Sequence, residues 1–227
     1  MATAKISVID RFRCGIDGVG IRTLVCFSGC PLRCKYCPNK FTYSKSFNHR
    51  EYTAEELVGK IRFDKLYFDA TGGGVTFGGG EPLLHHEFIN EFIRLWALPP
   101  VQNPQAYDLR DNFVIETSLS ISHENFRSFL ERLSKLTHAH YSKVVFCVDV
   151  KTLNPIEYFR YTQKSICNLK KNLSYLKKYE QENDFTEVLI RVPEIDGYVS
   201  EKSCQNTVKK LSRLGFNKID RFKYIKR

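Results

Sequence analysis

Short apolar runs alternate with helix-spaced segments along this chain, and that alternation limits the fold more than any single residue does. The runs fall at 21–27, 75–77, 113–117, 144–150, 187–192 and 218–225. They are apolar almost without interruption, as strands covered on both faces read. Between them, Thr53-Ala-Glu-Glu56 is a capping box that opens a helix to about Phe63, and Leu84, Phe88, Phe92, Leu95 and Trp96 recur at helical spacing. Further helices are expected at 122–136, 155–179 and 200–214, the last stopped by Gly215. Six β/α units of this kind predict a parallel sheet with helices outside. Eight units fill a complete barrel of ~250 residues, so six in 227 residues predict an α/β fold of the incomplete (partial) TIM-type barrel kind, open on one side. Residues 1–16 form a short N-terminal extension, where Ile6, Val8 and Phe12 alternate as in an edge strand; residues 98–111, with three prolines, are an excursion before the third strand. No repeat or biased linker divides the chain, and 1–227 reads as a single domain.

In parallel barrels the carboxyl ends of the strands share one rim, and ligands bind there. The unusual residues of this chain sit at those ends. Loop 28–39 follows the first strand, Gly79-Gly80-Glu81 the second, Glu116-Thr117-Ser118 the third, Asp149-Val150-Lys151 the fourth and Arg191-Val192-Pro193 the fifth. An apolar core has no use for charged groups at all these places. Before the first strand, Asp17-Gly18-Val19-Gly20 places two glycines where the backbone must turn tightly.

Loop 28–39 carries Cys30, Cys34 and Cys37, which are too closely spaced for relaxed disulfides but able to aim three thiolates at one point. Iron–sulfur clusters are held by such runs, normally of four cysteines. Here no fourth cysteine follows at ligand distance, so one iron is left open, the mark of a catalytic site. A structural zinc site completed by Cys26 or Cys14 is the alternative. Eight cysteines without a signal peptide argue for reduced thiols, with Cys147, Cys167 and Cys204 as buried structural residues. The first twenty residues carry Asp10, Arg11, Arg13 and Asp17, and no apolar run can cross a bilayer, which predicts a cytoplasmic protein without a membrane partner. The net charge of +10 raises nucleic acid as a partner, but Lys170–Lys171, Lys177–Lys178 and Lys209–Lys210 fall on expected helices, where a solvated face accounts for them. His85 and His86 read as surface residues of a helix's first turn.

The segment Phe27-Ser-Gly-Cys-Pro-Leu-Arg-Cys-Lys-Tyr-Cys-Pro-Asn39, with Tyr36 just before the last cysteine, resembles the signature of the radical S-adenosylmethionine (radical SAM) superfamily. The resemblance implies one 4Fe–4S cluster whose open iron binds the methionine end of SAM. An electron then splits SAM to methionine and a 5′-deoxyadenosyl radical, which removes a hydrogen atom from substrate. Gly73-Gly-Val-Thr-Phe-Gly-Gly-Gly-Glu-Pro-Leu-Leu84, Asp149-Val-Lys151 and Arg191-Val-Pro-Glu-Ile-Asp-Gly-Tyr198 narrow the likeness to the pyruvate formate-lyase activating enzymes, over residues about 17–198. These are glycyl-radical-enzyme activases, so a glycyl radical enzyme is the implied protein substrate. By the same resemblance Gly79, Gly80 and Glu81 contact the SAM amino group, the Tyr36 carbonyl contacts adenine, and Thr117, Ser118, Lys151 and Arg191 surround the ribose and carboxylate. Glu116, Thr117 and Asp149 correspond to a monovalent cation site, and Asp17 to a residue that approaches the glycyl loop.

The chain departs from that family at four positions. Glu116 stands where aspartate is usual, Leu119 replaces a glycine, Val19 a proline and Gly78 a serine. Asn39 to Thr53 is too short for the ferredoxin-like insertion of many relatives, so a flavodoxin or ferredoxin is expected to supply the electron. The reading is an activase. Another radical SAM reaction on a peptide or small molecule, and a non-catalytic iron–sulfur electron carrier, are the alternatives.

Overall fold

The structure, a computed structural model, describes residues 2–97, 112–140 and 142–225. Strand β1 (Thr3–Cys14) pairs antiparallel with β2 (Ile21–Phe27) on one side and with β3 (Arg50–Thr53) on the other. Helices α1 (Ala54–Ile61) and α2 (Lys65–Thr71), joined by a 3-10 turn, lead to β4 (Gly74–Gly79). After it come α3 (His86–Trp96), β5 (Asn112–Thr117), α4 (His123–His140), β6 (Lys143–Asp149), α5 (Pro155–Thr162), α6 (Cys167–Glu182), β7 (Thr186–Glu194), α7 (Glu201–Arg213) and β8 (Ile219–Lys223). The sheet order is β3-β1-β2-β4-β5-β6-β7-β8, and every pairing from β2 to β8 is parallel. Six parallel strands with a free edge at β8 make the expected open barrel.

Strand periodicity gives its two faces different chemistry. Val25, Phe27, Phe77, Ile115, Phe146, Val148 and Ile190 lie on the outer face and are fully buried under the helices. Phe77 meets Phe92 of α3 edge-on at 5.3 Å and stacks on Phe113 at 6.2 Å. The register aligns the alternate residues into an inner row: Cys26 opposite Gly78, Glu116 opposite Cys147, and Asp149 opposite Arg191. This inner face mixes apolar residues, among them Leu24, Val114, Val145 and Leu189, with the charged groups nearer the rim. At its amino-terminal end the buried Arg22 guanidinium donates to Thr76 Oγ1 (2.7 Å) and to the Val75 and Asn112 carbonyls (both 2.9 Å), tying β2, β4 and β5 together.

Several expectations are corrected. The N-terminal strand is not the edge: β3 lies outside it. The helix expected at 155–179 is two, because Gln163 takes a left-handed φ of 60° that ends α5. Helix α2 continues past the expected end of α1. His85 is not a surface residue, since its Nε2 lies 3.0 Å from the Ser28 carbonyl and its ring stacks on Phe27 at 5.2 Å. Cys147 and Cys204 are buried as expected, whereas Cys167 is exposed. The excursion at 98–111 lies outside the described residues.

Candidate active site

Loop 28–39 leaves β2 at the carboxyl rim, and backbone hydrogen bonds hold it there. Ser28 N–H donates to the Lys5 carbonyl (2.9 Å) and Gly29 N–H to Thr42 (2.8 Å). Gly80 N–H reaches the Phe27 carbonyl (3.0 Å) and Glu81 N–H the Gly29 carbonyl (2.8 Å). This close approach is why glycines end β4. A Cβ on Gly80 meets the Gly29 oxygen at 2.0 Å, and one on Gly79, whose φ is +88°, meets the Cys26 backbone at 2.7 Å. The two glycines therefore let the second strand's end dock against the cysteine loop, besides lining the cleft that the loop covers. On its other side Arg33 N–H and Lys35 N–H donate to the carbonyls of Thr162 (2.9 Å) and Tyr161 (3.1 Å), the last turn of α5.

The resulting cleft opens to solvent at the carboxyl rim of the sheet. Its walls include all three thiols, Cys30, Cys34 and Cys37, together with Tyr36, Gly79, Gly80, Glu116, Thr117, Ser118, Asp149 and Lys151. Eleven residues singled out from sequence thus face one space. Glu81 lies behind that wall, its carboxylate buried and accepting from Thr117 Oγ1 (2.6 Å), Ser118 Oγ (2.6 Å), Ser118 N–H (2.9 Å) and Leu83 N–H (3.3 Å). Burial pushes its pKa up, and these donors act against that push. Lys151 Nζ pairs with Asp149 Oδ2 at 3.0 Å; burial opposes its charge, yet Asp149 keeps the ammonium above its ordinary range.

Arg191 and Asp17 stand outside the cleft walls. Arg191 lies over the Phe222 ring at 5.0 Å on the inner face, where burial opposes and Asp149 and Glu116 favour its charge. Asp17 is ion-paired with Arg13 at the opposite end of β2. Glu116 is pushed up to about 7, chiefly by burial and then by Asp149 and Asp17. Two of the four departures turn out to be one. A Cβ on Gly78 meets Glu116 Oε2 at 2.6 Å, so the longer acid occupies the space that a side chain at 78 would need. Leu119, where the resemblance expects glycine, takes a left-handed φ of 52° with a fully buried side chain.

Of the cleft residues not singled out from sequence, three make specific contacts there. Asn39 Nδ2 donates to the Gly79 carbonyl at 2.8 Å, Tyr161 forms an aromatic group with Tyr36 and Tyr198, and the Tyr224 hydroxyl donates to the Tyr36 carbonyl. Asn39 ends the cysteine motif and was available to it; nothing local marks Tyr224.

The donor set fits a thiolate-bound cluster. Three half-buried thiols of one loop line the same cleft, the donor type that iron–sulfur clusters take, and among the described residues no three His, Cys, Asp or Glu side chains are grouped to hold a single metal ion such as zinc. Neither fourth ligand for zinc joins them. Cys14 pairs with Ile21 at the start of β2, the far end of the strand from the loop, and Cys26 is not among the cleft walls.

An open parallel barrel with three thiols of one loop facing a rim cleft defines a metal-cluster enzyme of the α/β barrel class. Residues 24–196 match the Radical SAM superfamily model, and the chain belongs to that superfamily, which uses a 4Fe–4S cluster and SAM. Among curated relatives, a pyruvate formate-lyase-activating enzyme of Clostridium pasteurianum is 52% identical over 80 residues, which cover 35% of this chain and only 33% of that protein. One from Staphylococcus aureus (strain USA300) is 33% identical over 195 residues, covering 82% of this chain and 67% of its own length. Two solved structures share the fold. They are the radical SAM methyltransferase TsrM of Kitasatospora setae (TM-score 0.60, 14% identity, 94% of this chain and 37% of that one) and SuiB of Streptococcus suis (0.59, 16%, 88% and 38%). Among the described residues no helix is long and apolar enough to cross a membrane.

Proposed function

We propose that this radical SAM enzyme is a glycyl-radical-enzyme activase. The observation that carries the reading is the single cleft in which three cluster-type thiols face the ends of four further strands. When bound, SAM at a reduced cluster supplies a 5′-deoxyadenosyl radical able to take a hydrogen atom from a backbone glycine. The chain's own part is to hold, orient and exclude water. Cys30, Cys34 and Cys37 hold the cluster. Gly79 and Gly80 expose backbone to the methionine amino group, and Glu81 fixes Thr117 and Ser118 through its hydrogen bonds. Lys151 supplies a cation for the carboxylate, the Tyr36 carbonyl accepts from the adenine amine, and Arg191 lies deeper on the inner face. Glu116, Thr117 and Asp149 are the candidate oxygen ligands of a monovalent cation.

Asp17, among Arg13 and Arg22, marks the part of the inner face that receives the partner's glycyl loop. Similarity to relatives named pyruvate formate-lyase-activating enzymes supports this choice of substrate. The electron comes from a flavodoxin or ferredoxin. The test is to incubate the reconstituted enzyme, SAM and a candidate glycyl radical enzyme under anaerobic reducing conditions. A glycyl doublet in the partner's electron paramagnetic resonance spectrum is expected. SAM cleavage without that signal on any candidate, but with hydrogen abstraction from another peptide or small molecule, overturns the activase reading.

A further inference from the structure

We infer that the outer face of the cysteine loop, together with α5, is the docking surface for a small acidic one-electron carrier. The inference rests on the cluster reading of the three thiols and adds the place where the electron enters. Residues 28–46 contain Arg33, Lys35, Lys40 and Lys45 and no acidic residue at all, in a chain with 25 Asp and Glu. Helix α5 and the turn after it add Arg160 and Lys164, and all six cations are exposed. Among the described residues none of the six is ion-paired; Arg33 lies over the Tyr43 ring at 4.6 Å and donates to the carbonyls of Cys30 and Leu32. The one acid of α5, Glu157, is engaged by the hydroxyls of Thr152 and Ser203.

The same helix, α5, exposes Ile156 (72%) and Phe159 (61%). Exposed apolar side chains beside unpaired cations are the materials of a transient protein interface, in which the charges steer the encounter. Loop and helix are one surface, because Arg33 N–H and Lys35 N–H bond the last carbonyls of α5. A carrier seated there lies against the residues that hold the cluster. Charge complementarity selects an acidic partner, and position selects one whose business is with the cluster. The step itself is simple: one electron leaves the reduced carrier and enters the oxidised cluster, the carrier is left oxidised, and no bond or proton moves.

The test uses the full chain with its cluster reconstituted and flavodoxin hydroquinone as the probe, following the bleaching of the cluster's visible absorbance in a stopped-flow instrument. For the unaltered protein the second-order rate is expected to fall steeply as salt rises. In K45E/R160E/K164E it is expected to be at least about tenfold lower at low salt, with most of the salt dependence gone. Dithionite, which needs no docking, is expected to reduce both proteins equally. A flavodoxin rate that neither salt nor the triple reversal changes overturns the inference, as does a variant that keeps that rate while losing activation of a glycyl radical partner or binding to RNA. Failure of dithionite to reduce the unaltered protein overturns the cluster reading instead.

Discussion

The contact between Gly78 and Glu116 makes a quantitative prediction. Gly78→Ala puts a Cβ 2.6 Å from Glu116 Oε2 and 3.2 Å from Leu24 Cδ1. Ordinary contact begins at 3.4 Å, so the carboxylate must retreat by 3.4 − 2.6 = 0.8 Å. It is the end of a flexible side chain, and leaving its rotamer well costs about 0.5–1.5 kcal/mol. Crowding of Leu24 places the total near ~1–2 kcal/mol, at the low end for overpacking. Shortening the acid by one methylene removes the overlap. Gly78→Ala is therefore expected to cost less than ~0.5 kcal/mol in a Glu116→Asp background, a coupling of ~1 kcal/mol between the two sites. Urea unfolding of the four proteins of this cycle measures it. Equal costs of Gly78→Ala in both backgrounds refute the argument that the long acid fills the room of the missing side chain.

Gly80→Ala collides with the Gly29 carbonyl, whose oxygen lies 2.0 Å from the new Cβ, and must part β4 from the cysteine loop. It is expected to cost ~2–4 kcal/mol by thermal unfolding and to lower iron content after reconstitution. Gly59→Ala, with nothing within 4 Å on an α1 face, is the control and should be neutral or stabilising by up to ~1 kcal/mol. Leu119→Gly relieves a left-handed φ worth ~1 kcal/mol but empties a fully buried site, so a net loss of ~2–3 kcal/mol is expected in urea. Burial holds the His85 imidazole below its ordinary range, aided by the nearby His86 and opposed by its bond to the Ser28 carbonyl. With the folded pKa depressed, the unfolded chain binds the proton first. The stability from neutral His85 is present above the unfolded pKa near ~6.5 and falls as pH drops toward the folded value. His85→Gln is expected to flatten the loss of urea midpoint between neutral and mildly acidic pH, and an unchanged slope contradicts this.

The barrel was readable because its strands are buried on both faces. Runs such as 144–150 admit no amphipathic reading, and glycines punctuate the rim. What escaped had weak or misleading patterns. Helix α2 exposes Leu66 and Tyr67 and buries Phe68 alone, leaving no stripe, while β3 is Arg-Glu-Tyr-Thr with one buried side chain, Tyr52. The break at Gln163 carries neither glycine nor proline, so the spacing of Tyr158, Tyr161, Leu169 and Leu173 runs straight through it. At the site, residue order along the chain indicated who shares the rim. It could not separate residues that face the cleft, such as Ser118 and Lys151, from Glu81 behind it, because hydrogen bonds between strand ends decide that. The meaning of Gly78 and Glu116 was likewise invisible one position at a time.

On the proposed reading Cys30, Cys34 and Cys37 hold a cluster with one iron left for SAM. The direct measurement is anaerobic reconstitution with iron and sulfide, dithionite reduction, and mass-spectrometric detection of 5′-deoxyadenosine formed from SAM, run beside Cys34→Ala. 5′-Deoxyadenosine is expected from the unaltered chain and none from the variant. A fully loaded, reducible 4Fe–4S protein that leaves SAM intact contradicts it.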